Sequence, residues 1–319
     1  MKYLESIISK LSLFLIVLSL CYCQSRKSTI TNSKNDKPFT FFVLGDWGVK
    51  GQGNQLQVAN EMIRQSKKNK ISLILTVGDN FYEDGVSSIN DEQWKLSYEN
   101  VYKELTKKYP WYVALGNHDY RGNVEAQLDY HSVNGNWNMP GRYYTFNKTL
   151  SGKQKVRFII IDTDPYIPAY YADPIYKKVI AAQDTAKQTR WIDSVLASSK
   201  EEWKIVVGHH PLYYANAKRP DTSTLVRVME PLFEKYKVQA YIAGHVHDIE
   251  YNLLKQSRVG HIISGSGAKS VPSAPKADYT LFSSNVPSFT LCTIQNNQLT
   301  FKFIDTTGST IYQNTIQKS

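Results

Sequence analysis

Ile71-Ser72-Leu73-Ile74-Leu75-Thr76-Val77-Gly78-Asp79-Asn80-Phe81-Tyr82 is the stretch on which the reading of the fold turns. Its first seven residues are mostly apolar and partly β-branched, the composition of a buried strand. A strand that stops at Gly-Asp pushes a carboxylate out at the sheet edge, with no side chain crowding its approach. A phenol follows three residues later. Carboxylate plus phenol, in a chain with 3 cysteines, points to a hard, oxygen-seeking trivalent ion and away from a structural zinc site. One Gly-Asp after one strand is an ordinary turn. Its weight depends on whether other strands end alike.

They do. Phe41-Phe42-Val43-Leu44 runs into Gly45-Asp46-Trp47-Gly48, and Trp111-Tyr112-Val113-Ala114-Leu115 into Gly116-Asn117-His118-Asp119. Further on, Lys204-Ile205-Val206-Val207 ends in Gly208-His209-His210-Pro211, and Ala240-Tyr241-Ile242-Ala243 in Gly244-His245-Val246-His247-Asp248. Ligands of α/β sheets bind beyond the carboxyl ends of the strands, so Asp46, Asp79, Asn117, His209 and His245 can converge. His245 and His247 would share a face on an extended segment, but on a bend they splay towards two neighbouring ions. A single carboxylate such as Asp79 can then bridge ions about 3.5 Å apart.

The intervening segments complete the class. Leu56, Ala59, Met62 and Ile63 mark one helical face, and Trp94, Tyr98, Val101, Tyr102 and Leu105 another, from about Asp91. Helices are also expected near Thr185–Ser198 and around Leu225, Met229, Leu232 and Tyr236. Residues 142–146 and 156–161 read as paired strands, the second ending at Asp162. Tyr166–Tyr176 reads as a surface loop, and the chain after His261 as short strands. The expectation is an α/β domain over 38–316, with two β-sheets flanked by helices.

Composition sets the context. The chain has 319 residues, 42% hydrophobic and 21% charged, enough for a packed core and unlike a disordered chain. Residues 1–23 combine Lys2 and Lys10 with the apolar run Leu11–Leu20 and Cys21-Tyr22-Cys23, the pattern of a secretory signal peptide too short to span a bilayer. Cleavage near Cys23 leaves a flexible leader, 24–37; in a bacterial host that cysteine could instead carry a lipid anchor. Secreted, lysosomal and periplasmic locations all fit, with no transmembrane segment. The net charge of +10 falls to +9 without the signal peptide's two lysines and one glutamate. With no long Lys/Arg run or nucleic-acid motif, this charge suits anionic substrates, such as phosphate esters, and excludes a nucleic-acid binder. Cys292 alone survives outside the signal, so no intrachain disulfide can form, and its apolar setting reads as a buried thiol. Asn147-Lys148-Thr149 is a glycan acceptor pattern in a eukaryotic host, and a monomer is expected.

The five strand-end blocks, in order from about Pro38 to Ile316, resemble those of the purple acid phosphatases. The likeness is greatest to the small mammalian tartrate-resistant type, within the calcineurin-like metallophosphoesterases. Tyr82 is the residue that separates the purple enzymes from the wider group. The resemblance implies a four-layer metallophosphoesterase sandwich. It also implies an acid phosphatase acting on small phosphate monoesters or phosphoproteins. Asp46, Tyr82 and His247 would hold Fe(III), Asn117, His209 and His245 a divalent ion (iron, zinc or manganese), and Asp79 would bridge. Harder donors on Fe(III) and softer ones on the divalent ion agree with coordination chemistry. A metal-held hydroxide would attack phosphorus, with an acidic optimum because Fe(III) acidifies water strongly. His118 would give the proton to the leaving group, with Asp119 as its orienting partner.

Where the mammalian type has a second substrate-side histidine, Lys218 stands close by, either gripping phosphate or simply solvated. The relatives' loop disulfide has no counterpart, and Tyr166–Tyr176 differs from the protease-sensitive loop, so regulation by proteolysis is not expected. His210 replaces a usually aromatic residue and could touch substrate, while His131 and His261 read as structural or surface residues. Two other readings remain: a phosphodiesterase or nucleotide-directed metallophosphoesterase, and a non-catalytic iron- or phosphate-binding protein.

Overall fold

The computed structural model describes residues 37–215, 222–272 and 276–318. The signal peptide, all of the leader except Lys37, and Lys218 lie outside them. Two mixed seven-stranded sheets form the body. The first runs in the order β14 (Thr310–Gln317), β13 (Gln298–Asp305), β12 (Ser288–Gln295), β1 (Phe39–Leu44), β2 (Ile71–Val77), β3 (Trp111–Ala114), β4 (Trp137–Asn138). The second runs β11 (Thr280–Ser284), β9 (Ile249–Asn252), β10 (Gly260–Ser264), β8 (Ala240–Ala243), β7 (Trp203–Val207), β6 (Lys155–Ile160), β5 (Tyr144–Thr149). Strands β1 to β4 are parallel in one sheet, and β6, β7, β8 and β10 in the other.

Alternation along the strands sorts the layers. Phe158 and Ile160 of β6 join the core between the sheets, where Phe158 meets Phe41 edge-on at 5.4 Å. Their neighbours Ile159 and Ile161 join the opposite cluster, with Ile192 and Leu196 of one helix (Thr185–Ser198) and Leu225, Met229 and Phe233 of another (Ser223–Lys235). These two helices fall where the pattern places them. Strands β5 and β6 pair antiparallel, as expected for residues 142–146 and 156–161. Trp94, Tyr98, Tyr102 and Leu105 are buried under the first sheet, on a π-helical turn (Trp94–Glu99) followed by a short helix (Lys103–Thr106).

Helix α1 (Gln55–Lys68) departs from its expected face. Val58, Ala59 and Met62 are buried, but Leu56 is 46% exposed and Gln55 takes the inner position. The Gln55 amide accepts from the backbone N–H of Val49 and Gly51 and donates to the Ser97 carbonyl, so a polar side chain closes the loop after β1. Cys292 is a buried free thiol on β12. Asn147 is exposed on β5, its amide donating to Glu201. Among the described residues no helix is long and apolar enough to cross a membrane.

Candidate metal centre

Strands β1, β2, β3, β7 and β8 deliver their carboxyl ends to one place, and the glycine before each functional residue is required by the crowding there. A Cβ on Gly116 would stand 2.3 Å from the Asp79 nitrogen, and one on Gly78 (φ +90°) 2.5 Å from His209 Nδ1. Asp46, Asp79, His245 and His247 themselves adopt positive φ, between 50° and 74°. Left-handed backbone at four non-glycine residues costs of order 1–3 kcal/mol each and persists where the surroundings over-determine it. Here backbone ties do so: Asp46 N–H donates to the Gly78 carbonyl, Gly244 N–H to the His209 carbonyl, and His245 N–H to Asp46 Oδ2.

The side chains separate into two clusters. In the first, the Tyr82 hydroxyl lies 3.2 Å from Asp46 Oδ1 and 3.1 Å from His247 Nε2, and Asp46 Oδ1 lies 3.4 Å from the same ring nitrogen. In the second, Asn117 Oδ1 lies 3.2 Å from His209 Nε2 and 3.0 Å from His245 Nδ1. Asp79 touches both: Oδ2 is 2.8 Å from the Tyr82 hydroxyl, and Oδ1 is 3.4 Å from His209 Nε2. All seven sequence-predicted donors are thus brought together.

His210 also places a ring nitrogen near His209 and His245. Its Nδ1, however, bonds the Thr163 hydroxyl and its Nε2 the Tyr170 hydroxyl, both at 2.8 Å. With both nitrogens engaged and the ring fully buried, His210 supports the second cluster from behind and does not reach a substrate. Asn117 is the better third donor.

The electrostatics call for a cation. Burial, then Asp46 and Asp79, push the Tyr82 phenol well above its ordinary pKa. Burial opposes the charge on His209, but Asp79, Asp46 and Asp164 raise it to about 10. Burial likewise opposes the charge on Asp79, yet His209 and the His118 N–H hold it well below the ordinary carboxylate range. Two nearly inaccessible carboxylates and a phenol are thus packed against imidazoles with little solvent to screen them. A strong Lewis acid would neutralise the carboxylates, release the phenol proton and free His209 as a neutral ligand. His209 is already set for that role, its Nδ1 facing the Val77 carbonyl at 2.8 Å and leaving Nε2 to the cluster. The residues therefore fit a binuclear centre.

His118 stands at the edge, partly exposed, its ring centroid 4.3 Å from that of Tyr82. Its Nδ1 lies 2.5 Å from the Glu83 carbonyl. Asp119 does not orient it. A 3-10 turn (Asp119–Arg121) carries that side chain inward, where it accepts from the N–H of Gly116, Asn80 and Phe81 and from the Gln127 amide. Asp119 thereby clamps the two loops that carry Asp79 and Asn117.

Several contributors carry no sequence signal. Tyr166–Tyr176 is only partly a surface loop, because Tyr170 and Tyr176 are buried. The Tyr176 hydroxyl receives Arg121 Nε at 2.8 Å and Asn117 Nδ2 at 3.3 Å, which turns Asn117 Oδ1 towards the histidines. Single tyrosines in a proline-broken segment have no periodicity by which a buried face could be read. His261 is buried in β10 and His131 is exposed, both outside the site.

A two-sheet sandwich with paired donor clusters at its strand ends is the architecture of a metal-dependent phosphoesterase. Residues 39–248 match the family model for calcineurin-like phosphoesterases. Purple acid phosphatase 4 of Arabidopsis thaliana is 33% identical, over 83% of this chain and 79% of its own length. Human tartrate-resistant acid phosphatase type 5 is 29% identical, over 86% and 89%. Among solved structures, Plasmodium GAP50, described as the anchor in the inner membrane complex, superposes with a TM-score of 0.75 at 29% identity, covering 88% of this chain and 89% of its own. The chain belongs to the calcineurin-like phosphoesterase family, within its purple acid phosphatase branch.

Proposed function

We propose that the protein is an acid phosphatase that hydrolyses phosphate monoesters at an Fe(III)–M(II) centre, with M iron, zinc or manganese. The observation that carries this reading is the division of the donors into an oxygen-rich and a nitrogen-rich cluster, joined by the two oxygens of Asp79. Asp46, Tyr82 and His247 would hold the ferric ion and Asn117, His209 and His245 the divalent ion, with Asp79 the donor common to both. When bound, the ions supply Lewis-acid polarisation of the phosphoryl group and acidify water.

The chain's own residues do the rest. The Glu83 carbonyl accepts from His118 Nδ1, which directs Nε2 to deliver a proton to the leaving alkoxide. The Tyr176 and Arg121 pair keeps the Asn117 amide oxygen turned inward. The signal peptide, a secreted or lysosomal location, a glycan at Asn147 and a substrate range of small esters and phosphoproteins belong to the same proposal.

A second reading, a non-catalytic iron- or phosphate-binding protein, is kept because GAP50, similar in structure, is described as an anchor. One experiment separates the two: metal analysis with initial rates on aryl and alkyl monoesters and on diesters, across pH. Hydrolysis of monoesters at acidic pH by an iron-containing protein is expected. His118→Ala should keep both metals and slow the alkyl ester by about 10²–10⁴-fold. Two bound metals with no hydrolysis would establish the non-catalytic reading, and faster cleavage of diesters a phosphodiesterase.

A further inference from the structure

Lys269, in the segment after β10, reaches over Tyr82. Its Nζ stands 4.3 Å from the ring centroid, over the face. The ammonium is pinned there by Glu83, whose Oε1 lies 2.7 Å away, so its position does not depend on the ring alone. Glu83 follows Tyr82 directly and lends its carbonyl to His118. One lysine from the second sheet's side of the site is therefore strapped to the turn that carries both the phenol and the carbonyl partner of the proton donor. The Lys269 side chain is only 37% exposed, which leaves its charge incompletely screened by solvent.

A fixed cation over an aromatic face interacts more strongly as the ring gains electron density. A phenolate under an ammonium therefore has its highest filled orbitals lowered in energy. We propose that Lys269 is a positioning residue that acts through Tyr82: its ammonium lowers the phenolate donor level and so raises the energy of the tyrosine-to-iron charge-transfer transition. This rests on the assignment of Tyr82 to the ferric ion above. Glu83 opposes the effect, since its carboxylate partly cancels the ammonium's field at the ring.

The visible spectrum of the iron-loaded protein tests this independently of turnover. K269M is expected to move the charge-transfer band to longer wavelength at unchanged iron content, and K269R to leave it near the wild-type position. E83Q, which keeps the backbone carbonyl and removes the countercharge, is expected to move the band to shorter wavelength. If K269M fails to fold, K269Q, which removes the same charge, is expected to move the band to longer wavelength and decides in its place. An unmoved band in K269M, or one moved to shorter wavelength, overturns the role of Lys269 while a coloured wild type leaves the binuclear reading standing. A wild-type protein that takes up no iron and shows no band overturns both.

Discussion

The two donor clusters differ in chemistry but are built alike. Asp46 and Tyr82 give the first cluster two oxygens, with His247 as its imidazole; the second has two imidazoles, His209 and His245, and the Asn117 amide. Neither belongs to one sheet. Asp46, Tyr82 and Asn117 follow strands of the first sheet, while His209, His245 and His247 follow strands of the second. Each cluster closes only when the sheets pack, and the Asp46–His245 bond spans 199 residues of chain. Donor sets of different hardness thus face opposite oxygens of one carboxylate and are held by a strained backbone, instead of forming two separate sites.

Breaking the shared member should have the largest effect. Asp79→Asn removes the charge common to both clusters, so both metals should be lost, with turnover reduced on the order of 10⁴-fold. Metal content by elemental analysis and rates on an aryl phosphate check this; retention of one ion would mean that the clusters are more independent than their geometry implies.

A paired comparison sharpens the difference between them. Tyr82→Phe should abolish the visible band and weaken iron binding by about 10–100-fold, a loss comparable to that from disturbing other metal-site groups. It should leave the second ion in place. Asn117→Ala should do the reverse, keeping the colour and losing the divalent ion. Titration of each variant with both metals separates these outcomes, and identical losses in the two variants would contradict the division.

The smallest effect sets the background against which pH dependence of either cluster is read. His261 lies outside both, and burial lowers its pKa to about 3. Unfolded, it titrates near 6.5. Between these values the unfolded chain binds a proton that the folded chain refuses, so stability falls as pH drops from about 6.5 towards 3. His261→Phe, packing on Tyr213 and Tyr241 as the imidazole does, should shrink the fall in Tm over that range by roughly 10 °C. Thermal melts at several pH values measure it; an equal fall in both proteins would assign the acid sensitivity elsewhere.

How far the sequence could be read depends on the range of the interactions concerned. The ends of the five strands were legible, because an apolar run that stops at glycine and a polar residue is a local pattern. Helix α1 was legible except at Gln55 and Leu56. There a loop needing hydrogen-bond acceptors outweighed the preference for burying leucine. Asp119 was misread because adjacency to His118 suggested contact, whereas a tight turn sends the two side chains apart. Tyr170 and Tyr176 were read as loop residues, yet they brace His210 and Asn117.

By itself, the sequence determined the α/β class and picked out seven candidate donors, the strand-end residues by a local pattern and the full set through the family resemblance, since strand patterning and donor chemistry are properties of short segments. Only the tertiary structure decided which oxygen of Asp79 faces each cluster, that Asp119 turns away from His118, and that the Glu83 carbonyl holds His118 while Lys269 covers Tyr82. Those choices depend on how two sheets bring together loops far apart in the chain, and no local pattern encodes that packing.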